Sequence, residues 1–309
     1  MRAAESEGFA NVLGFRLYYR LFDPPSPRRV VLGLHGGPGA GHDYLLPLAD
    51  LTQWGYRVVL FDQLGCGRSE LPSDHGLFTL AQHVKETEGI RQGLGLGRVH
   101  VIGSSYGGLL ALAYALQYPD SLASLVTVGG LASVPFAARE MARLKDELPE
   151  PERGILKRFE ARGELAAPEY LRAVEAFYRR HLCRLDPWPR EVRRSFERIA
   201  QQPVYAEMNG PNEFTITGTI RDIDLTPQLS AIRVPTLVTG GQYDEVTPNV
   251  AEQIRAGIPG ARRVVFERSS HLPFWEERAL FMETVGAFLR DVEGRASSSP
   301  PRSASAGSS

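Results

Sequence analysis

Cysteine is scarce: Cys66 and Cys183 are the only two in 309 residues. Two thiols do not make a disulfide framework, and a reducing cytoplasm is the expected location. Long apolar runs are also missing, and none approaches the ~20 residues needed to cross a bilayer. No apolar segment follows Arg2, so the first residues do not read as a secretory signal. Neither sign of charge is in excess, with 35 Lys and Arg against 36 Asp and Glu. That balance excludes a globally basic nucleic-acid binder and an acidic solvating chain. Neither nucleic acid nor membrane is therefore an expected partner. No internal repeat is visible. Apolar residues are plentiful, at 43% against 23% charged, enough for a sizeable core. At ~150 residues per domain, the length suits about two units, or one large domain with an insertion.

Short, continuous, β-branched runs at 15–22, 29–35, 57–62, 99–103 and 122–129 predict strands buried on both faces, as in a parallel sheet. Helical spacing at 44–54, 79–93 and 106–118 separates them. This alternation predicts an α/β fold with right-handed crossovers. From 132 to 225 no such strand is evident, and helical patterns occur at 136–148, 151–162, 169–182 and 191–201. The sheet rhythm resumes with a strand at 236–239, a helix at 250–256, a strand at 263–266 and a helix at 278–292. The expected organisation is a core at 1–131, a helical insertion at 132–225, the rest of the core at 226–293 and a tail at 294–309. An insertion between late strands usually sits over their C-terminal ends, where ligands bind, so it is read as a cap. The Ser-rich tail has no large apolar side chain and is expected to be disordered.

Gly103-Ser104-Ser105-Tyr106-Gly107 matches G-x-S-x-G between a predicted strand and a predicted helix. Such a tight turn exposes the serine hydroxyl at a helix N-terminus, where the dipole favours developing negative charge. Ser105 is the candidate nucleophile; Ser104, the rival, occupies the x position. A serine nucleophile needs a base, and the base an orienting acid, in the chain order Ser, Asp or Glu, His. Of the seven histidines, His271 follows the late strands, in Ser269-Ser270-His271-Leu272-Pro273. Asp244 follows the strand at 236–239. Both fall at strand C-termini, the same sheet edge as Ser105. His83 and His100 are expected on the surface, and His181 in the cap. The oxyanion needs donors. The Tyr106 N–H is one, and Gly37, in His35-Gly36-Gly37-Pro38-Gly39, is chosen as the second. Asp62 ends a strand ahead of the nucleophile, so a structural role is expected. Cys66 is expected to be inert. Tyr205 and Trp275 are candidate pocket walls, although aromatics at such places are more often core. The arginines at 179–180, 184 and 190–194 read as a solvated cap face, with a docking surface as the alternative.

The segments His35–Gly39, Asp62–Ser69 and Gly103–Gly108 together resemble the proline iminopeptidase family of α/β-hydrolases. The similarity extends from about Phe9 to Leu289. Met208–Gly218 and Tyr243–Asn249 sharpen it towards the tricorn-interacting subgroup of archaea. Many members carry Trp after the nucleophile; Tyr106 departs from that and fits this subgroup. The resemblance implies a capped α/β-hydrolase acting as a serine aminopeptidase on short peptides, with proline or a small apolar residue first. It further implies that Glu213 and Glu245 anchor the substrate's α-ammonium. From the residues alone, Glu245 is near the site because it adjoins Asp244, while Glu213 would pass for an ordinary cap residue. No metal and no organic cofactor is expected. Two rival readings remain: an amino-acid amidase or esterase on the same triad, and a non-catalytic accessory protein docked on a larger protease.

Overall fold

The computed structural model describes residues 3–298, with side chains over 3–295. Eight strands form one sheet in the order β1-β2-β4-β3-β5-β6-β7-β8. They are β1 (Ala4–Val12), β2 (Phe15–Asp23), β3 (Val30–Leu34), β4 (Arg57–Phe61), β5 (Val99–Ser104), β6 (Leu122–Val128), β7 (Thr236–Gly241) and β8 (Arg262–Phe266). β1 and β2 pair antiparallel, as do β2 and β4; every other pairing is parallel. The parallel strands are covered on both faces, which is why β3 and β5 are buried along their whole length.

β1 lies outside the predicted elements. It is a polar strand at the sheet edge, exposed over most of its length, so it has no apolar run to betray it. Leu13 and Gly14 join it to β2, with φ 54° and 88°. Two successive positive φ values suit the tight turn of a hairpin. The far edge, β8, exposes Arg262 and Arg263, and charge there discourages pairing with another chain.

One face of the sheet is covered by α1 (Leu80–Gly93), α2 (Tyr106–Gln117) and, after β7, a helix at Pro248–Gly257. The other is covered by Asp43–Trp54 and the C-terminal helix. Asp43–Trp54 is 3₁₀ rather than the α-helix its spacing predicts; Pro47 inside it lacks the N–H an α-helix would use. Between β6 and β7 run five helices: α3 (Val134–Asp146), α4 (Glu152–Glu160), α5 (Pro168–His181), α6 (Arg190–Gln201) and α7 (Pro203–Met208). The Pro248–Gly257 helix is then α8, followed by α9 (Pro273–Glu276) and α10 (Arg278–Ser298). α7 and α9 were not expected, being too short to show a helical period. α10 runs through Gly294, where the tail was expected to begin; residues 299–309 lie outside those described. No helix of the described residues is long and apolar enough to cross a membrane.

Candidate active site

β3 lies between β4 and β5, so the chain leaves β3 towards one side of the sheet and β5 towards the other. Loops diverging from adjacent parallel strands open a crevice at their C-terminal ends. The loop after β5 is the elbow. Ser105 is held at φ 58°, ψ −126°, and among the described residues only Leu13 shares a positive φ without being glycine. A Cβ on Gly103 would meet the Gly107 carbonyl oxygen at 2.0 Å, and one on Gly107 would meet the Leu34 oxygen at 2.1 Å. The two glycines of the motif are thus required by packing against each other and against β3. The Ser105 N–H donates to the Val128 carbonyl (2.9 Å), fixing the turn to β6. Ser104 ends β5 and is fully buried.

The loop after β3 lies against this elbow. A Cβ on Gly36 would sit 2.7 Å from the Ser105 Cβ. The Gly36 N–H donates to the Tyr44 hydroxyl (2.7 Å), and the Ala40 N–H to the Gly36 carbonyl (3.1 Å). His35 Nε2 accepts from the Gln63 N–H (3.1 Å), so the proton is on Nδ1, which donates to the Gly36 carbonyl. Burial lowers the His35 pKa, in keeping with this neutral form. Gly37 has φ 106°, open to glycine and strained for other residues. The Tyr106 N–H opens α2, where the first N–H groups have no acceptor inside the helix. The Tyr106 side chain turns into the core, its hydroxyl 2.8 Å from His83 Nδ1.

His83 and His100 are therefore not surface residues as expected; both are fully buried. His83 lies on the face of α1 that also buries Val84, Thr87 and Ile90, and burial pushes its pKa down to about 3. His100 lies on β5, with Nδ1 2.7 Å from the Ser124 hydroxyl. Asp62 is bound within the structure: it accepts from the His42 N–H (2.7 Å), His42 Nδ1 (2.9 Å) and the Arg68 N–H (2.8 Å). Cys66 is buried, and burial pushes its thiol pKa well up.

Asp244 follows β7 and His271 follows β8. His271 Nδ1 donates to Asp244 Oδ1 (2.6 Å), which also accepts from the Val246 N–H (2.8 Å). That leaves Nε2 directed away from Asp244 and 3.9 Å from Glu245 Oε1. Two serines fix the approach to His271: Ser269 Oγ donates to Glu277 (2.7 Å) and Ser270 Oγ to Glu276 (2.8 Å). Burial alone would lower the His271 pKa. Asp244, then Glu245 and Glu213, outweigh it and push the value up to about 9.

A cleft brings these elements together. The core contributes Gly37, Tyr44, Ser105, Glu245 and His271, and the segment between β6 and β7 contributes Leu182, Val192, Phe196, Ile199 and Glu213. Among the described residues, no Lys or Arg lines it. Glu213 accepts from the Tyr205 hydroxyl (2.7 Å), and burial raises its pKa. Glu245 is buried, with its backbone N–H on the His181 carbonyl (3.0 Å). Its pKa is raised well up, first by burial and then by the charge of Glu213. Two carboxylates, Glu245 buried and Glu213 half-buried, thus face a largely apolar cleft in which, among the described residues, His271 is the basic side chain.

Neither candidate wall lines the cleft: Tyr205 holds Glu213 through its hydroxyl, and the Trp275 indole N–H donates to the Tyr44 carbonyl (2.7 Å). Three supporting residues escaped the sequence reading. Nothing local marks Tyr44. His181 has a signal only in space, with Nδ1 on the Tyr243 carbonyl (2.9 Å). Gly129 was legible in principle, as half of a Gly-Gly pair closing a strand; a Cβ there would lie 2.6 Å from His271 Nδ1.

Residues 29–278 match the alpha/beta hydrolase fold family. The chain is 48% identical to the proline iminopeptidase of Saccharolobus solfataricus, over 93% of each chain. It is 47% identical to that of Thermoplasma volcanium, over 92% of this chain and 96% of the other. Among solved structures, the proline iminopeptidase of Mycobacterium smegmatis superposes with a TM-score of 0.90 at 34% identity, covering 94% of this chain and 100% of that one. The chain belongs to the proline iminopeptidase family of α/β-hydrolases.

Proposed function

We propose that this enzyme is a serine aminopeptidase that releases N-terminal proline, or another small apolar residue, from short peptides. The observation that carries the reading is the pair Glu245, buried, and Glu213, half-buried, in an apolar cleft that also holds Ser105 and His271. A general esterase has no use for two uncompensated carboxylates beside its nucleophile. A free α-ammonium pairs with both.

In this reading Ser105 Oγ attacks the first peptide carbonyl while His271 Nε2 takes its proton. Asp244 holds the imidazole through Nδ1 and stabilises the imidazolium. The N–H groups of Gly37 and Tyr106 receive the oxyanion. The C–N bond then breaks, and His271 delivers the proton to the departing amine. Water, deprotonated by the same imidazole, attacks the acyl-serine and releases the free amino acid. The apolar walls at Leu182, Val192, Phe196 and Ile199 favour a compact apolar first side chain.

The test is the ratio of kcat/KM for a free prolyl substrate and its N-acetylated counterpart. Wild type should strongly prefer the free amine. Removing one partner of a desolvated charge pair costs about 2–5 kcal/mol, so Glu213→Gln or Glu245→Gln should lower the free-amine kcat/KM by roughly 30-fold or more. Equal cleavage of both substrates by wild type would mean that the carboxylates do not read the N-terminus, and the enzyme would be a general amidase or esterase.

A further inference from the structure

Glu245 does more than face the cleft. Its Oε1 lies 3.9 Å from Nε2 of His271, the nitrogen that must be unprotonated to accept the serine proton. The imidazole is ringed by carboxylates: Asp244 and Glu245 from the loop after β7, and Glu213 from the segment following α7. Behind Asp244 stand Glu276, held by Ser270, and His181, held on the Tyr243 carbonyl. No Lys or Arg among the described residues lines the cleft to offset these charges. Without substrate, the one group in the wall able to carry a positive charge, among the described residues, is the imidazole itself.

We propose that Glu245 is a positioning residue for charge, setting substrate choice through the base: it holds a proton on His271 until a substrate ammonium takes the proton's place. This rests on the aminopeptidase reading and deepens it. The exchange balances. Before binding, the cleft holds one cation, imidazolium, beside its carboxylates. The substrate brings a second cation, which pairs with Glu245 and Glu213. The imidazolium then loses its partner and gives its Nε2 proton to solvent, leaving the net charge of the cleft unchanged. His271 becomes a competent base at the moment a free N-terminus arrives. A substrate without an ammonium meets a protonated base near neutral pH and loses kcat as well as affinity. The two groups hold each other charged: Glu245 helps push the His271 pKa up to about 9, and the imidazolium opposes the burial that raises the Glu245 pKa.

The experiment compares two pH profiles. Labelling of Ser105 by a small neutral fluorophosphonate reports the base in the free enzyme. The kcat for a free prolyl substrate reports it in the complex. In wild type the acid limb of labelling should lie at least roughly one pH unit above the limb of kcat, since a charge within ~4–6 Å moves a pKa by about 1–3 units. Glu245→Gln should bring the labelling limb down by a similar amount, and Glu245→Asp should keep it above that of the Gln variant. Coincident limbs in wild type would overturn the inference, and that comparison needs no variant to fold. A labelling limb unmoved in Glu245→Gln would overturn it too, while a retained free-amine preference in wild type would leave the aminopeptidase reading standing. Equal cleavage of free and acetylated substrates would instead sink that reading, and a limb that still moved would show Glu245 tuning the base without choosing the substrate.

Discussion

Gly129 shows how far a single atom controls this site. It follows β6 with φ 53°, and the space where a Cβ would stand is filled by the His271 ring and Asp244 Oδ2, at 2.6 and 2.8 Å. Neither neighbour can yield cheaply, because the two are bonded to each other and buried. Gly129→Ala should therefore push the imidazole off its line, and displacement of about 1 Å can cost ~100-fold in rate. The expected outcome is a fold intact by circular dichroism with kcat/KM down by roughly that factor. Wild-type kcat/KM in the Ala variant would show that the ring has room to move. Ser105 illustrates the same scale from the other side. Its positive φ is maintained by Gly103 and Gly107; that the motif needs them was readable from its spacing, their contacts with each other and with β3 were not. The identity of the atoms that fill the space beside Gly129 was not readable, since they come from segments more than a hundred residues away.

Helix α1 carries a titrating group that the chemistry does not use. Thr79 caps the helix, its hydroxyl accepting from the Gln82 N–H (3.1 Å). Glu86 lies on its buried face and accepts from the Leu64 N–H (3.0 Å), which steadies the loop after β4. Burial pushes the Glu86 pKa from an ordinary 4.5 up to about 8. The folded state thus binds this proton more tightly than the unfolded state. Its contribution to stability is full below the ordinary carboxylate range and is lost as pH rises towards 8. Glu86→Gln keeps an acceptor for Leu64 and removes the titration. The melting temperature of wild type should fall relative to the Gln variant between about pH 5 and 8. Parallel melting curves across that range would refute the assignment. The helix itself was legible from its period. Which side of it faces the sheet was not, because α1 mixes polar and apolar residues around its circumference, and this is why His83 was expected at the surface.

At the scale of the molecule, the segment between β6 and β7 is tied to the core through α6. Arg198 is paired with Asp43 (2.8 Å) and lies 3.9 Å from Asp62. The Tyr44 N–H donates to Ser195 Oγ (3.2 Å), and Gln202 accepts from the Gly67 N–H (3.0 Å). Both aspartates are buried. Removing the guanidinium leaves Asp43 with Arg194 alone, 3.5 Å away and half exposed, while Asp62 keeps His42 and the Arg68 N–H; breaking a buried pair costs at most about 3–5 kcal/mol if nothing relaxes. Lifting α6 so that Asp43 meets water costs less. Arg198→Met should therefore speed proteolytic cleavage within 182–203 by ~10-fold or more through local opening, and raise KM for a free prolyl substrate. Unchanged cleavage rates would show that α6 is held by its apolar contacts alone.

The sequence by itself determined the parts of this protein that depend on neighbours along the chain. Buried parallel strands must be apolar throughout, so their runs were visible. A turn that exposes a serine needs glycines at set spacing, so the elbow was visible, as were the loops bearing Asp244 and His271 in order after it. The tertiary structure decided everything that depends on neighbours in space. β1 was hidden because an edge strand facing water needs no apolar pattern. Tyr44 and Tyr205 look like ordinary aromatics until packing places one hydroxyl under Gly36 and the other on Glu213. Glu213 and Glu245 are 32 positions apart in the chain (245 minus 213) and share one cleft only because the inserted helices fold back over the sheet. Their charge acquires meaning from burial, and burial is a property of the folded molecule that no local run of residues encodes.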